Sequence, residues 1–305
     1  MKSVVGVDLG GTKTVAALVE PDGTRGPAVQ AATPAADGPG AVLDVVAALV
    51  REAAGEAEIG GVGIGTAGIV NGAGTVVSAT ETFSGWVGTD LVAGLRRRLP
   101  VAGRVAVIND VDAHLLGEAW LGAARGHSSA LMVAVGTGVG GALLVNGRLW
   151  RGARGAAGEL GHVPAPGAEG MHCPCGRLGH LEALAAGPGI ARAYRAASGT
   201  DSDSRQVFAL AGSGDPTATE VVRAAAAGLG RAVAGLVTTF DPGCVVVGGG
   251  VAEAGGPWWP TVVESCRHEL VDAFADLPLQ RAELGAGAAV LGAAREVFEH
   301  EGARR

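Results

Sequence analysis

The segment MHCPCGRLGH, residues 171–180, concentrates side chains that bind soft metal ions. Cys173 and Cys175 are separated by one residue, His172 and His180 flank them, and His162 lies ten residues upstream of His172. The whole chain has only four cysteines and seven histidines, so this density is unusual. Thiolates and imidazoles are typical zinc ligands. The spacing alone leaves two interpretations open, a structural metal site or a flexible loop with reduced cysteines.

Two glycine-rich segments suggest a different chemistry, the binding of phosphate groups. Residues 3–23 (SVVGVDLGGTKTVAALVEPDG) and 130–148 (ALMVAVGTGVGGALLVNGR) share one pattern of an apolar run, a glycine turn and a second apolar run. Each predicts two strands joined by a tight turn. Backbone N–H groups of two such turns, facing a shared cleft, would bind a polyphosphate from both sides. Because 53 of the 305 residues are glycine, either hairpin alone could be an ordinary turn.

Asp8, Thr12 and Lys13 strengthen the phosphate hypothesis for the first turn. A carboxylate directly before such a turn can hold the hydrated Mg²⁺ that accompanies ATP, and the Thr12 hydroxyl can donate a hydrogen bond. Lys2 and Lys13 are the two lysines of a chain that otherwise uses arginine. A phosphate site that needs a compact positive charge would explain a lysine at position 13. The alternative is that Lys13 is a solvated residue of the turn.

The remaining pattern predicts a mixed α/β chain that positions these turns. Apolar runs at 60–70, 104–110 and 244–250 predict buried strands, and helical periodicity extends over 39–57, 89–99 and 217–242. The segment SGTDSDSRQ, residues 198–206, predicts an exposed loop.

Composition limits the possible partners and location. The formal net charge of −7 argues against nucleic-acid binding and against an anionic membrane surface. We find no signal-peptide core, no run of ~18 apolar residues and no disulfide framework. At about 100–200 residues per domain, the length predicts two domains. We therefore expect a cytoplasmic enzyme without a membrane span.

Seven motifs in order resemble those of the ROK family of bacterial sugar kinases and repressors. They are DLGGTK (8–13), GIGTAG (63–68), IND (108–110), GTGVGG (136–141), GELGH (158–162), CPCGRLGHLE (173–182) and VVGGGV (246–251). The resemblance implies an α/β, actin-like ATPase (ribonuclease H-like) fold with two domains around a central cleft. The expected domains are residues 1–112 plus 293–305, with the C-terminal helix, and residues 113–292, with the cysteine loop.

The resemblance also assigns residues to the substrates, a hexose and ATP with Mg²⁺. Asp110 is the expected general base, because a sugar hydroxyl must lose its proton as it attacks phosphorus; a helix N-cap is its alternative role. Asp112 is expected to interact favourably with the helix dipole from the first turn and to have no other role. The expected sugar ligands are Gly68, Thr80, Asn109, Asp110, Glu159, His162 and Glu182. The expected ATP and Mg²⁺ ligands are Asp8, Gly10, Gly11, Thr12, Lys13, Gly136, Thr137, Gly138, Gly249 and Gly250.

The family pattern explains the cysteine segment as a structural zinc site. It has a histidine followed by C-x-C-G-x-x-G-C, and in this chain His180 replaces the last cysteine. The implied zinc ligands are therefore His162, Cys173, Cys175 and His180, with His172 as a possible substitute. In this arrangement one His162 nitrogen binds zinc while the other faces the sugar.

The sugar itself is left open between several hexoses. Relatives that prefer glucose often carry Asn four residues before a Trp, and here Thr82 precedes Trp86 at that spacing, with Thr80 as a replacement hydroxyl. Glucose and N-acetylglucosamine are the leading substrates, with N-acetylmannosamine and fructose as alternatives, and ATP or polyphosphate as donor. A sugar sensor without activity is the alternative of another class. The resemblance implies a homodimer or homotetramer.

Overall fold

The computed structural model describes residues 1–79, 82–99 and 103–302 of the chain. Two compact units are present. The first, which we call the N unit, comprises residues 1–126, 149–157 and 283–305; the second, the C unit, comprises residues 127–148 and 158–282. These bounds differ from the expected division at residues 112 and 293, because the helix that begins at Asp110 packs against the last helix of the chain and both lie in the N unit.

The described residues form twelve strands and nine α-helices. The strands are β1 (Val4–Leu9), β2 (Lys13–Val19), β3 (Val29–Ala32), β4 (Gly61–Thr66), β5 (Ile69–Val70), β6 (Val76–Ser78), β7 (Arg104–Asn109), β8 (Ala130–Val135), β9 (Val139–Val145), β10 (Arg148–Leu149), β11 (Val245–Gly248) and β12 (Leu279–Arg281). The α-helices are α1 (Pro39–Ala54), α2 (Leu91–Arg96), α3 (Asp110–Leu121), α4 (Leu181–Ala185), α5 (Gly187–Ser198), α6 (Ser204–Gly212), α7 (Pro216–Phe240), α8 (Trp258–Glu269) and α9 (Ala288–Gly302).

The main sheet of the N unit has the order β3-β2-β1-β4-β7. Its β1–β2 and β2–β3 pairs are antiparallel, and its β1–β4 and β4–β7 pairs are parallel. Side chains alternate between the faces of β1: Val5, Val7 and Leu9 join the core formed with α1, while Val4 joins the core formed with α9. Asp8 therefore shares the Val4 face, which is covered by α9.

A second five-stranded sheet, with the order β10-β9-β8-β11-β12, repeats the same scheme. Here β8–β9 is antiparallel, and β8–β11 and β11–β12 are parallel. Both predicted strand–turn–strand segments are thus confirmed, as β1–β2 and as β8–β9. The C unit packs its apolar core mainly between this sheet and helices α4 to α8.

Helix ends follow local sequence signals. Asp215 caps α7 by accepting a hydrogen bond from Ala218 N at 2.7 Å, Pro216 occupies its first turn, and Asp241 ends it in the left-handed conformation. By length and composition α7 could cross a membrane, but it packs against α4, α5, α6 and α8 as a core helix does.

The loop prediction for residues 198–206 is wrong at its C-terminal end, because α6 begins at Ser204. Asp203 accepts a hydrogen bond from Gln206 N at 2.8 Å, and the Gln206 side chain accepts one from Asp203 N at 2.9 Å. This is a capping box, whose D-x-x-Q signature is visible in the sequence.

Candidate active site

The predicted site residues of the N unit lie at one edge of its sheet. The strand register aligns Leu9 with Thr66 and Thr66 with Asn109, so that β1, β4 and β7 end side by side. The turn Gly10–Gly11 follows β1, Gly68 follows β4, and Asp110 follows β7. The carboxyl ends of neighbouring parallel strands are the usual place for ligand binding in such sheets. Thr80 lies outside the described residues.

Asp8 is half-buried at this edge among charged groups. Burial is the main cause that raises its pKa above the ordinary value of 3.8. His114 and Lys13 lower the pKa of Asp8, while the Asp110 carboxylate raises it. Two carboxylates and a lysine ammonium therefore share one electrostatic environment, which is suited to a hydrated divalent cation and a phosphate group.

Asn109, rather than Asp110, caps helix α3. Its side-chain oxygen accepts hydrogen bonds from Val111 N at 2.8 Å and from Asp112 N at 3.4 Å. Its amide nitrogen donates to Gly68 O at 3.1 Å. The alternative role of Asp110 as N-cap is therefore wrong. Its Oδ1 accepts from Val111 N at 3.0 Å, within the first helical turn.

His114 was not among the residues predicted for the site. Its Nδ1 lies 2.9 Å from the Asp110 carbonyl oxygen, and its charge acts on Asp8. A residue four positions after Asp110 on a helix lies on the same face, so the spacing could have indicated it. The arrangement places an imidazole at the Asp110 carbonyl group, where its charge acts on the Asp8 carboxylate.

Asp112 has a larger role than the expected interaction with the helix dipole. It is buried, and its Oδ2 lies 3.7 Å from Arg151 Nε. Arg151 also donates from Nη2 to Glu296 Oε1 on α9 at 3.0 Å, and Arg104 Nη2 lies 3.7 Å from the same oxygen. This ion-pair network joins α3, α9 and the segment 149–157 within the N unit.

Thr82 packs against the first glycine turn. A β-carbon built on Gly11 would overlap the Thr82 methyl group, so this close approach requires glycine. Trp86 is buried and stacks on Phe83 with ring centroids 4.4 Å apart. The segment 82–86 therefore supports the turn through apolar contact.

The predicted phosphate residues of the C unit also lie at the carboxyl edge of parallel strands. Ala134 on β8 is aligned with Gly248 on β11, and Val251 N donates to Val135 O at 3.0 Å. The turn 136–138 and the glycines 249 and 250 are thereby neighbours. Three of these residues, Gly136, Thr137 and Gly250, line a cavity of about 950 Å³.

The far wall of this cavity comes from residues that the sequence did not indicate. It contains Gly187 and Pro188 at the start of α5, Ser204 and Phe208 on α6, and Glu253. Apolar surface and a few polar groups suit a planar base and a ribose. The sequence analysis expected a loop over residues 198–206, and no local signal placed α6 beside the glycine turn.

Glu182 lies between the glycine turn 136–138 and the cysteine segment of the C unit. Its Oε2 accepts a hydrogen bond from Val139 N at 2.9 Å, directly after the glycine turn. Its Oε1 lies 3.9 Å from Cys173 Sγ. A second predicted sugar ligand, Glu159, has Oε2 3.7 Å from His162 Nε2. Glu159 and Glu182 thus lie beside the metal-ligand candidates His162 and Cys173.

The four implied zinc ligands converge in the C unit. Donor atoms of His162, Cys173, Cys175 and His180 all lie within 4.8 Å of one another. Cys173 Sγ is 3.6 Å from His162 Nδ1, and Cys175 Sγ is 3.2 Å from His180 Nδ1. Ligands of a tetrahedral zinc ion are separated by about 3.3–3.8 Å, so these two donor pairs are close to that spacing, and the residue types are typical zinc ligands.

The Cys173 thiol must lose its proton to bind a metal ion. Burial is the main cause that raises the pKa of Cys173 to about 11, and the Glu182 carboxylate contributes in the same direction. Such a thiol stays protonated at neutral pH unless a cation stabilises the thiolate. His172 does not belong to this cluster of described residues, so its role as a substitute ligand is not supported.

Comparison with known proteins agrees with this geometry. A glucokinase of Thermotoga maritima is 32% identical over 98% of this chain and 98% of its own length. An N-acetylmannosamine kinase of Shigella flexneri is 35% identical over 83% of this chain and 85% of its own. The crystal structure of a ROK hexokinase from Thermus thermophilus, 37% identical, superposes with a TM-score of 0.88 over 99% of both chains.

The family model described as ROK matches residues 4–299, which include every site described above. The two related five-stranded sheets, with a glycine turn in each, are those of the actin-like ATPase fold. The chain belongs to the ROK family.

Proposed function

We propose that this protein transfers the γ-phosphoryl group of ATP to the 6-hydroxyl of a hexose, glucose or N-acetylglucosamine, with Asp110 as the general base. Its relatives support the coarser statement that it is a sugar phosphotransferase. The observation that carries the finer proposal is the convergence of Asp8, Asp110 and Lys13 beside the glycine turn of the N unit.

The two glycine turns are proposed to bind the nucleotide. In the N unit, Gly10, Gly11, Thr12 and Lys13 would contact phosphate oxygens, and Asp8 would hold the hydrated Mg²⁺. In the C unit, Gly136, Thr137, Gly138, Gly249 and Gly250 would contact phosphates, with the base and ribose in the 950 Å³ cavity. When bound, Mg²⁺ neutralises charge that develops on the phosphates.

Asp110 is proposed to accept the proton of the attacking hydroxyl. Asn109 supplies the helix cap, and Asp110 accepts from Val111 N through Oδ1, so Oδ2 would take the proton. His114 is held by the Asp110 carbonyl group and is close enough to act on Asp8. The sugar would be held by Gly68, Thr80 and Asn109 together with Glu159, His162 and Glu182, whose oxygens and nitrogens match sugar hydroxyls.

Zinc is proposed as a structural ion bound by His162, Cys173, Cys175 and His180. Bound zinc fixes a loop without taking part in phosphoryl transfer. Since His162 Nδ1 faces Cys173 and Nε2 faces Glu159, one ring nitrogen is directed to the metal cluster and the other to a predicted sugar ligand. The loop would orient the sugar-binding side chains.

The proposal is tested by ADP release with Mg-ATP and a panel of glucose, N-acetylglucosamine, N-acetylmannosamine, mannose and fructose. Turnover of glucose or N-acetylglucosamine above the others supports it. Preference for N-acetylmannosamine or fructose would replace the substrate but keep the enzyme class. Sugar-dependent thermal stabilisation without turnover, with ATP or polyphosphate, would instead indicate a sugar sensor. A cytoplasmic homodimer or homotetramer remains part of the proposal.

A further inference from the structure

We propose that Glu182 is a positioning residue for the glycine turn 136–138, so that one carboxylate determines nucleotide affinity as well as sugar affinity. The inference rests on the proposed function for the identity of the two ligands. The juxtaposition that carries it is the hydrogen bond from Val139 N to Glu182 Oε2, at 2.9 Å. Val139 is the first residue of β9, directly after the turn.

Gly138 shows how closely the carboxylate approaches the turn. A β-carbon built on Gly138 would lie 2.7 Å from Glu182 Oε2, a distance that real β-carbons do not show. The carboxylate therefore occupies the space in which a side chain at residue 138 would stand. An alanine at this position would displace the Glu182 oxygen from Val139 N.

The opposite end of the turn is held by the same short stretch of chain. Gly187 N donates a hydrogen bond to Gly136 O at 2.9 Å. Glu182 lies within α4, and Gly187 begins α5 directly after it. Residues 182–187 thus fix both ends of a turn whose Gly136 and Thr137 line the proposed nucleotide cavity.

The second carboxylate oxygen of Glu182 faces the cysteine cluster. Its Oε1 lies 3.9 Å from Cys173 Sγ, while Oε2 is engaged by the turn. A sugar hydroxyl would then be bound through Oε1.

The test compares nucleotide and sugar binding in variants of the full-length protein. Affinity for the non-hydrolysable analogue AMPPNP with Mg²⁺ is measured by calorimetry without sugar, and zinc content is measured for each variant. Glu182→Ala is expected to raise the Kd of AMPPNP about tenfold, the loss of one hydrogen bond to a charged acceptor. Glu182→Gln keeps an oxygen for Val139 N, so its Kd should stay within about twofold of wild type while the sugar KM rises.

Glu159→Ala is the matched control, because Glu159 is the other carboxylate assigned to the sugar. It should raise the sugar KM and leave the Kd of AMPPNP unchanged. If Glu182→Ala does not fold, Glu182→Asp tests the same contact, because the shorter side chain draws the carboxylate back from Val139 N, and the same rise in Kd is expected.

Unchanged nucleotide affinity in both Glu182→Ala and Glu182→Asp, with zinc retained, would overturn the inference and leave the proposed function standing. An equal rise in Kd for Glu159→Ala would also overturn it, because the effect would then be general to the sugar pocket. A folded wild-type protein that binds no AMPPNP would overturn both proposals.

Discussion

Asn109 Oδ1 accepts a hydrogen bond from Val111 N at 2.8 Å, so the residue before Asp110 supplies the cap of α3. The separation of the two roles makes Asp110 testable without loss of the helix. We expect Asp110→Asn to lower kcat by about 10²- to 10⁴-fold, the usual contribution of a general base. Its thermal midpoint should stay close to wild type.

The matched variant is Asn109→Ala, which removes the cap and keeps the carboxylate. It should lower the free energy of unfolding by about 0.5–2 kcal/mol. ADP-release kinetics and thermal melts measured side by side distinguish the two effects. Near-normal kcat in Asp110→Asn would rule out Asp110 as the base.

Replacing Asp8 by a neutral residue is predicted to stabilise the folded protein, by an amount that depends on pH. Its pKa is raised in the folded protein, chiefly by burial, so below the ordinary value of 3.8 the group is protonated in both states and costs nothing. As the pH rises above that value, the unfolded chain ionises first and the folded state loses relative stability, until the folded group ionises as well. Asp8→Asn should therefore raise the thermal midpoint at pH 7, and the gain should shrink towards pH 4.

The same substitution should abolish ADP release if Asp8 holds Mg²⁺. A higher thermal midpoint together with lost activity is the pattern of a site residue that is kept at a cost in stability. Melts of wild type and Asp8→Asn at several pH values provide the check. A lower midpoint for the variant at pH 7 would contradict the role of burial.

The proposed zinc site predicts one zinc ion per chain, measurable by elemental analysis of the purified protein. Removing a ligand with His180→Ala should lower the zinc content and the thermal midpoint, since metal binding energy contributes to folding. His180→Cys should retain zinc, because thiolate and imidazole are both zinc ligands.

His172→Ala is the control for the zinc site, because His172 is close in sequence but does not belong to the cluster of described donor atoms. It should keep wild-type zinc content. A wild-type protein without zinc, or loss of zinc from His172→Ala alone, would show that the ligand set is wrong.

Replacing Arg151, which lies in the N unit, is predicted to lower the free energy of unfolding. Arg151→Met removes the hydrogen bond to Glu296, which is 4% exposed, and the charge opposite Asp112. Leaving a buried charged acceptor without this donor should cost about 1–3 kcal/mol, with Arg104 remaining near Glu296. Chemical denaturation measures the difference.

Arg195→Met provides the comparison for an exposed ion pair. Arg195 Nη1 lies 3.8 Å from Asp201 Oδ1, and the two side chains are 67% and 83% exposed. Screening by water limits such pairs to about 0–1 kcal/mol. Equal losses for the two variants would mean that the Arg151 network adds no more than a surface pair.

Sequence patterns alone predicted the elements that carry the site. Alternation and apolar runs predicted β1–β2 and β8–β9, because the period of a strand and the glycine of its turn are local properties. Motif order identified the family and the four metal-ligand candidates. The sequence could also have indicated α6 through its capping box at Asp203, and His114 through its spacing from Asp110.

Other relationships were decided only by the tertiary structure. Arg151 meets Glu296 across 145 residues of sequence, and Glu182 meets Val139 across 43. Tertiary packing also places α6 beside the glycine turn. It also produces the burial that raises the pKa of Asp8. Such contacts depend on how distant elements pack, and no local period or turn signal records which side chains packing brings together.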